Sequence, residues 1–375
     1  MRLLLVGDFS SIHIYNYIKN IISNIECECI GYHIVSDDIP ALYQDYYTKT
    51  NVKVVEGVDT EIYKNRGAFR FTVDTVKKLK TLGQFDYMHM HAVRQFICPA
   101  LYLARKNFKK IILTYWGSDL YRSSVKQLAV TLPILHSADS IVLLTDDMRD
   151  YFANLPGFIS RYVRKVQVFD FGNMFYEIID KLSDNRKKCL NDLGFDENKL
   201  ICTIGYIGRP QMQQLRTVKA LLPFLKVKKD SLQIALPAYG ISENDLAEIT
   251  NLLQSNGISY KAFPYFMDSE EVSKLRVVSD IFIHAQTTDA LSCAMLEHFY
   301  AGSVVINAEW LMYGTLKHNG IFYKTFKSFD ELSHVLSMTL DNISEEKVSS
   351  RMNREAIAKI SSWSNLSQSW KNLYK

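Results

Sequence analysis

No apolar run in this 375-residue chain approaches the 18 residues that a membrane-spanning helix requires, so none is expected to cross a bilayer. Cysteine is scarce: six residues, scattered singly apart from Cys27 and Cys29, with no Cys/His set at zinc-finger spacing. That pattern reads as a reduced, cytosolic chain without a structural metal. The opening MRLLLVGDFS has too short an apolar core for a signal peptide and turns at Gly7-Asp8 into a helical pattern, so it reads as a first strand. That turn also lacks the Gly-x-Gly-x-x-Gly of a dinucleotide site, since only Gly7 is present, and this argues against an NAD enzyme. The excess of positive charge is small, +4 formally, well short of a dedicated nucleic-acid binder.

What is present is an ordinary globular composition, 47% apolar and 22% charged, in a chain long enough for two domains. Short apolar runs alternate with longer amphipathic ones, the mark of βαβ units around a parallel sheet. Strands are expected near 2–6, 28–35, 52–56, 87–91, 110–116, 140–145 and 165–171. A charged, helical stretch after Gly172 breaks the rhythm, and a second series follows near 200–208, 232–239, 258–264, 280–285, 303–307 and 320–324. Runs that are apolar throughout imply strands buried on both faces, as in doubly wound sheets. The expected fold is therefore α/β, two doubly wound Rossmann-like domains over 1–174 and 175–357. A C-terminal helix, 358–375, carries Trp363, Trp370 and Tyr374 and is expected to pack back on the first domain. Such sheets bind ligands at the carboxyl ends of their strands, and with two domains facing each other the cleft between them is the default site.

The segment 287–302, TTDALSCAMLEHFYAG, pairs two carboxylates, Asp289 and Glu297, in an otherwise apolar or small-residue context. A helix beginning near Asp289 would turn its unpaired amides, over Thr288, Ala290 and Leu291, toward a diphosphate. Glu297 sits about two turns further in, where an unpartnered buried carboxylate costs several kcal/mol. Ribose hydroxyls would satisfy it; so would a nearby Arg or Lys, with Asp289 as a plain cap. In IGYIGRPQMQQLRTVKAL, a strand ends at Gly205 and Gly208, and Arg209, Arg216 and Lys219 follow. They can clamp a leaving diphosphate or form a solvated helix face. His91 closes FDYMHMH at a strand's carboxyl end, as a catalytic residue or a satisfied core histidine. In TYWGSDLYR, Trp116 and Gly117 permit a tight turn, and Asp119 either orients a hydroxyl or caps a helix. Basic clusters KNR with Arg70, ARKNFKK and RYVRK, interleaved with aromatics, suit a peripheral membrane face or a solvated surface.

Strand, loop carboxylate, seven residues, helical glutamate and then YAGSVVI resemble the donor-site signature of GT-B glycosyltransferases, particularly the large retaining family numbered four. There the pattern is Glu-Gly-Phe-Gly, a short apolar stretch, a second Glu and a small-Gly-x-Pro-Val strand. The resemblance covers nearly the whole chain in order and spacing. It implies that Glu297 holds ribose hydroxyls and Asp289 hydroxyls of the transferred sugar, with His91 beside it. Gly208-Arg209 would bind the diphosphate, while Gly7, Asp8, Trp116, Gly117 and Asp119 line the acceptor side. Two features depart from the family: Asp289 with Ala290-Leu291-Ser292 replaces Glu and its glycines, and Gln214 and Leu215 occupy the family's lysine position, leaving Arg216 or Lys219 to substitute.

The resemblance implies a glycosyltransferase, cytoplasmic or on the inner membrane face, that moves a sugar from a nucleoside diphosphate to a glycan or lipid-linked acceptor. Retention, no metal or cofactor beyond the donor, and a role in O-antigen, capsule or exopolysaccharide synthesis go with it. A nucleotide-sugar epimerase using His91, Asp119, His284 and Asp289, and a catalytically silent partner protein, are the alternatives.

Overall fold

The computed structural model describes residues 1–35, 37–59, 67–311 and 313–375. The chain divides into two compact units, one of residues 1–172 with 363–375 and the other of residues 173–362. The first crossing falls two residues before the expected boundary, and the second five residues after it.

The first unit is built on a seven-stranded sheet with every pair parallel. Its strands are β1 (Arg2–Gly7), β2 (Glu28–His33), β3 (Val52–Glu56), β4 (Phe85–His91), β5 (Phe108–Thr114), β6 (Ser140–Leu143) and β7 (Val166–Val168). The order is β3-β2-β1-β4-β5-β6-β7, so the winding reverses between β1 and β4. Leu3, Leu4, Leu5 and Val6 are all fully buried, as a strand covered on both faces requires. The last strand is shorter than the apolar run 165–171, because Phe169 and Phe171 leave the ladder to pack on Trp370.

The second unit carries a six-stranded parallel sheet of β8 (Leu200–Ile204), β9 (Leu232–Pro237), β10 (Tyr260–Phe263), β11 (Ile281–His284), β12 (Val304–Ala308) and β13 (Lys324–Phe326). The order β10-β9-β8-β11-β12-β13 puts its reversal between β8 and β11. Residues 320–323, expected in a strand, instead precede β13, and Phe322 exchanges backbone hydrogen bonds with the Asn353 side chain. At the opposite ends of both sheets, aspartates accept a neighbouring strand's N–H. Asp86 takes that of Arg2 at 2.7 Å, Asp139 that of Ile111 at 2.8 Å and Asp280 that of Ile201 at 2.7 Å. These acids pin the sheets where no ligand is expected.

The expected C-terminal helix is two helices. Ile343–Ser361 belongs to the second unit, Trp363–Asn372 to the first, and extended Ser362 separates them. The break follows from packing: Trp363 lies so close over Gly172 that a Cβ there would come within 2.2 Å of its ring. Trp370 is fully buried, stacks on Phe171 at 5.0 Å and donates its indole N–H to the Asp170 carbonyl at 2.9 Å.

Candidate functional site

In the first unit the carboxyl ends of β1, β4 and β5 gather Gly7, Asp8, His91, Trp116, Gly117 and Asp119 on one edge. Asp8 turns the chain by accepting hydrogen bonds from the Ser10 N–H and hydroxyl, at 3.0 and 2.5 Å, and Ser11 caps the helix Ile12–Asn20 that follows. His91 departs from expectation. It is fully enclosed, its ring 4.1 Å from that of His89 and 4.4 Å from that of Tyr17, with Trp370 at 5.9 Å. The C-terminal helix, by supplying Trp370, closes a box that the strand alone would leave open. Among the described residues neither His91 ring nitrogen has a hydrogen-bond partner, and neither has the Trp116 indole nitrogen beside it. Burial, reinforced by His89 and His13, holds the His91 pKa well below the ordinary histidine value, so the ring is neutral.

Asp119 is likewise committed to the protein. Its Oδ1 accepts from the backbone N–H of Trp116 and of Gly117, both at 2.9 Å, and its Oδ2 from that of Val93 at 2.7 Å. It ties the ends of β4 and β5 together and is not a free acceptor-orienting carboxylate. Gly117 is required at this turn, since its φ of +109° is strained for any side chain.

In the second unit the winding reversal brings the two sequence motifs together. The Thr287 N–H donates to the Gln211 carbonyl at 3.0 Å, and the Gln213 amide to the Ala285 carbonyl at 2.7 Å, so the loop after β8 and the loop after β11 are joined. Beside the loop after β8, on its β9 side, lies a cleft of about 380 Å³, lined among others by Gly208, Arg209, Gln213, Arg216, Lys219 and Asp245; the Asp289 loop is not among its lining. Gly208 packs so tightly on β9 that an added Cβ would meet the Ala238 carbonyl at 2.4 Å. Arg209 is exposed and has no ion-pair partner among the described residues. The two other cations are engaged: Lys219 pairs with Glu248 at 2.5 Å, and Arg216 lies 4.3 Å over the Phe329 ring. At the lysine position, Gln214 is buried and bonds the carbonyls of Ile204 and Pro237, closing the strand ends with a neutral group.

The helix after β11 begins later than expected. It runs Cys293–Ala301 with Ser292 as its cap, so Thr288, Asp289, Ala290 and Leu291 form a loop and the cap of this helix is not Asp289. Asp289 accepts a hydrogen bond from the Tyr313 hydroxyl at 2.8 Å. Beneath the loop, His284 donates Nδ1–H to Asn307 at 3.0 Å; the Asn307 orientation follows from its amide donating to two carbonyls.

Glu297 has what its burial demands, and from within the protein. At 3% exposure its Oε2 accepts from Arg276 Nε at 3.0 Å and its Oε1 from Asn173 Nδ2 at 3.1 Å. Burial raises its pKa, and Arg276 and Asn173 oppose that shift. The same arginine donates to His298 Nε2 at 3.2 Å, so His298 donates from Nδ1 to Ser303, whose hydroxyl passes on to the Ser279 carbonyl. Of the two partners the sequence left open, a ribose or a nearby Arg or Lys, the structure supplies the second, an arginine, together with an asparagine. The sequence named neither residue. Asn173 marks the start of the second unit, and Arg276 is the one cation between the apolar residues of KLRVVS in the helix Ser269–Val278, a signal that was available.

Of the basic clusters, Lys64–Arg66 lie outside the described residues. Lys109 pairs with Asp86, Lys110 and Arg105 lie over Tyr87 and Tyr102, and Lys165 donates to backbone carbonyls including that of His136. Among the described residues no helix is long and apolar enough to cross a membrane, and no group of three or more His, Cys, Asp or Glu could hold a metal ion.

Residues 2–139 match the family model described as glycosyl transferase 4-like. No curated protein matches the chain in sequence. In fold it is similar to a glycosyltransferase from Rickettsia africae, at 14% identity over 100% of this chain and 97% of that one, with a TM-score of 0.74. Anabaena HepE in complex with UDP and glucose is 11% identical over 100% and 99% of the chains, with a TM-score of 0.69. Sucrose-phosphate synthase from Thermosynechococcus elongatus is 10% identical over 100% and 98%, with a TM-score of 0.71. Residues 2–139 are thus similar to a glycosyltransferase family model, and the fold, two parallel-sheet α/β units, is that of these GT-B glycosyltransferase structures.

Proposed function

We propose that the chain transfers a sugar from a nucleoside diphosphate donor, held by residues 173–362, to a hydroxyl of a glycan or lipid-linked acceptor held by residues 1–172. The observation that carries this reading is Arg209, exposed at the cleft beside the loop after β8 and without an ion-pair partner among the described residues; the same loop is hydrogen-bonded to the loop that carries Asp289. A guanidinium in that position binds a diphosphate and stabilises the charge that grows on it as the bond to the sugar breaks. Asp289, its carboxylate steadied by Tyr313, accepts hydroxyls of the sugar.

In this reading the anomeric configuration is retained. The bond from anomeric carbon to diphosphate oxygen breaks, the acceptor oxygen bonds to that carbon, and the departing diphosphate takes the acceptor proton. No metal or cofactor beyond the donor is required. The setting is bacterial surface polysaccharide synthesis, O-antigen or capsule, at the inner face of the membrane. Anabaena HepE, similar in fold, is described in complex with UDP and with UDP-glucose, which supports a nucleotide-sugar donor.

One observation favours a second reading, a catalytically silent partner protein: Lys219, Arg216 and Glu297 are spent on contacts within the protein. A thermal-shift panel of nucleoside diphosphates and their sugars separates the two. The transferase reading expects stabilisation by one base and its sugar conjugates, whereas a folded chain that no nucleotide stabilises overturns it.

A further inference from the structure

Tyr15, Tyr43 and Tyr46 make an aromatic group that nothing above uses. Tyr15 stacks on Tyr43 with centroids 4.4 Å apart and planes at 19°, and Tyr46 meets Tyr15 edge-on at 5.2 Å. All three are half-buried, in contrast to Tyr47 below them, which is buried and donates its hydroxyl to the Phe9 carbonyl at 3.0 Å. The hydroxyls of Tyr15, Tyr43 and Tyr46 make no hydrogen bond among the described residues. After burial, the largest influence raising the Tyr15 pKa is Tyr46, and the largest raising that of Tyr43 is Tyr15.

Position gives the group its meaning. Tyr15 lies in the first turn of the helix leaving β1, and Tyr43 in the first turn of Ala41–Lys49, the helix that follows β2. Because the strands are parallel, both first turns stand at the carboxyl edge that also carries Gly7, Asp8, His91 and Trp116. On the helix Ile12–Asn20, His13 and Tyr15 are two residues apart and so point to opposite flanks. His13 packs on Trp116 at 5.2 Å, and Tyr15 packs on Tyr43. A single sugar ring cannot touch both flanks of a helix about 10 Å across; a chain of rings can.

We infer that Tyr15, Tyr43 and Tyr46 form a platform for a second sugar ring, so that the acceptor is an oligosaccharide of two or more rings. This rests on the glycosyl-transfer reading above and deepens it. Tyrosine faces carry negative potential that attracts the C–H faces of a pyranose, and their hydroxyls bond its O–H groups. Leu42, 68% exposed beside them, extends the apolar surface. The segment 37–49 carries Asp37, Asp38 and Asp45 against a single Lys49 at its far end, and Asp8 is adjacent to the turn. An anionic lipid surface is repelled by that charge, while a neutral glycan rich in hydroxyl donors is not.

The test uses the full chain on a glycan array running from monosaccharides to hexasaccharides, with UDP, GDP and ADP thermal shifts as the control for the donor side. The expected result is retention on glycans of two or more rings only. Y15A and Y43A should weaken that retention roughly tenfold, about 1.4 kcal/mol, with nucleotide stabilisation unchanged; Y15F and Y43F should keep part of it. Retention of monosaccharides alone, no retention of any glycan, or equal retention by Y15A and Y43A overturns the platform. So does binding to phosphatidylglycerol vesicles that Y43A abolishes. Loss of nucleotide stabilisation in the wild type would instead overturn the transferase reading, so the two failures are distinct.

Discussion

Glu297 illustrates how a buried charge constrains its surroundings. With Arg276 4% exposed and Glu297 3% exposed, each holds the other in a site that neither could occupy alone. Removing one member of such a pair leaves an uncompensated ion, and E297A and R276A should each destabilise the protein by about 3–5 kcal/mol in denaturant titrations. A glutamate serving only a ligand would lower nucleotide affinity and leave stability unchanged. Asp119 poses a similar case with backbone partners: Asp119→Asn keeps one carbonyl acceptor but turns an amide donor on a backbone N–H. The expected loss is about 1–3 kcal/mol, read as a lower midpoint in urea.

The presence of both Glu297 and Asp119 at important positions is legible in the sequence; their roles are not. Spacing and burial predict that Glu297 needs donors. That the donors are Arg276 and Asn173 depends on how the helix Ser269–Val278 and the chain crossing at Asn173 come together, which no local pattern encodes. Lys219 is misleading for the same reason, because Glu248, on the neighbouring helix Glu243–Ser255, takes its charge.

At the scale of elements, the strands were readable because apolar runs such as LLLV (3–6) and IIL (111–113) mark burial on both faces. Helix ends were less so. The helix after β11 starts at Cys293 since Ser292 provides the capping hydroxyl, and the C-terminal helix restarts at Trp363 over Gly172. That last helix matters beyond its length, for Trp370 and Tyr374 enclose His89 and His91. Trp370→Ala should cost about 3–5 kcal/mol, seen as early loss of the Trp116 and Trp363 fluorescence of the first unit.

The same enclosure makes the element sensitive to acid. Burial lowers the pKa of His89 to about 3, and those of His13 and His91 also lie below the ordinary value of 6.5. The unfolded chain therefore binds more protons than the folded one between about 3 and 6.5. Stability contributed by these rings is full above 6.5 and falls as the pH drops through that window, by up to about 1.4 kcal/mol per pH unit for each ring. Denaturant titrations from pH 8 to pH 5, followed by tryptophan fluorescence, should show this slope. His89→Phe should reduce it by about one ring's share, and equal slopes in the two proteins would refute the assignment; Asp119, raised by burial to about 6, contributes a slope of opposite sign in both.

For the molecule as a whole, two doubly wound sheets each present a carboxyl edge with chemistry on it, while aspartates pin the opposite edges. The first unit offers the half-buried tyrosines Tyr15, Tyr43 and Tyr46. The second offers a cleft whose one uncommitted cation is Arg209 among Arg209, Arg216 and Lys219. If a nucleoside diphosphate binds there, its affinity depends on that residue more than on the other two. Calorimetric titration of UDP, GDP and ADP into the intact chain and into R209A tests this most directly. The account predicts binding of one of the three to the wild type and a loss of roughly tenfold or more in R209A, about 1.4 kcal/mol. Equal affinity in the two proteins, or no binding of any nucleotide to folded wild type, would contradict it.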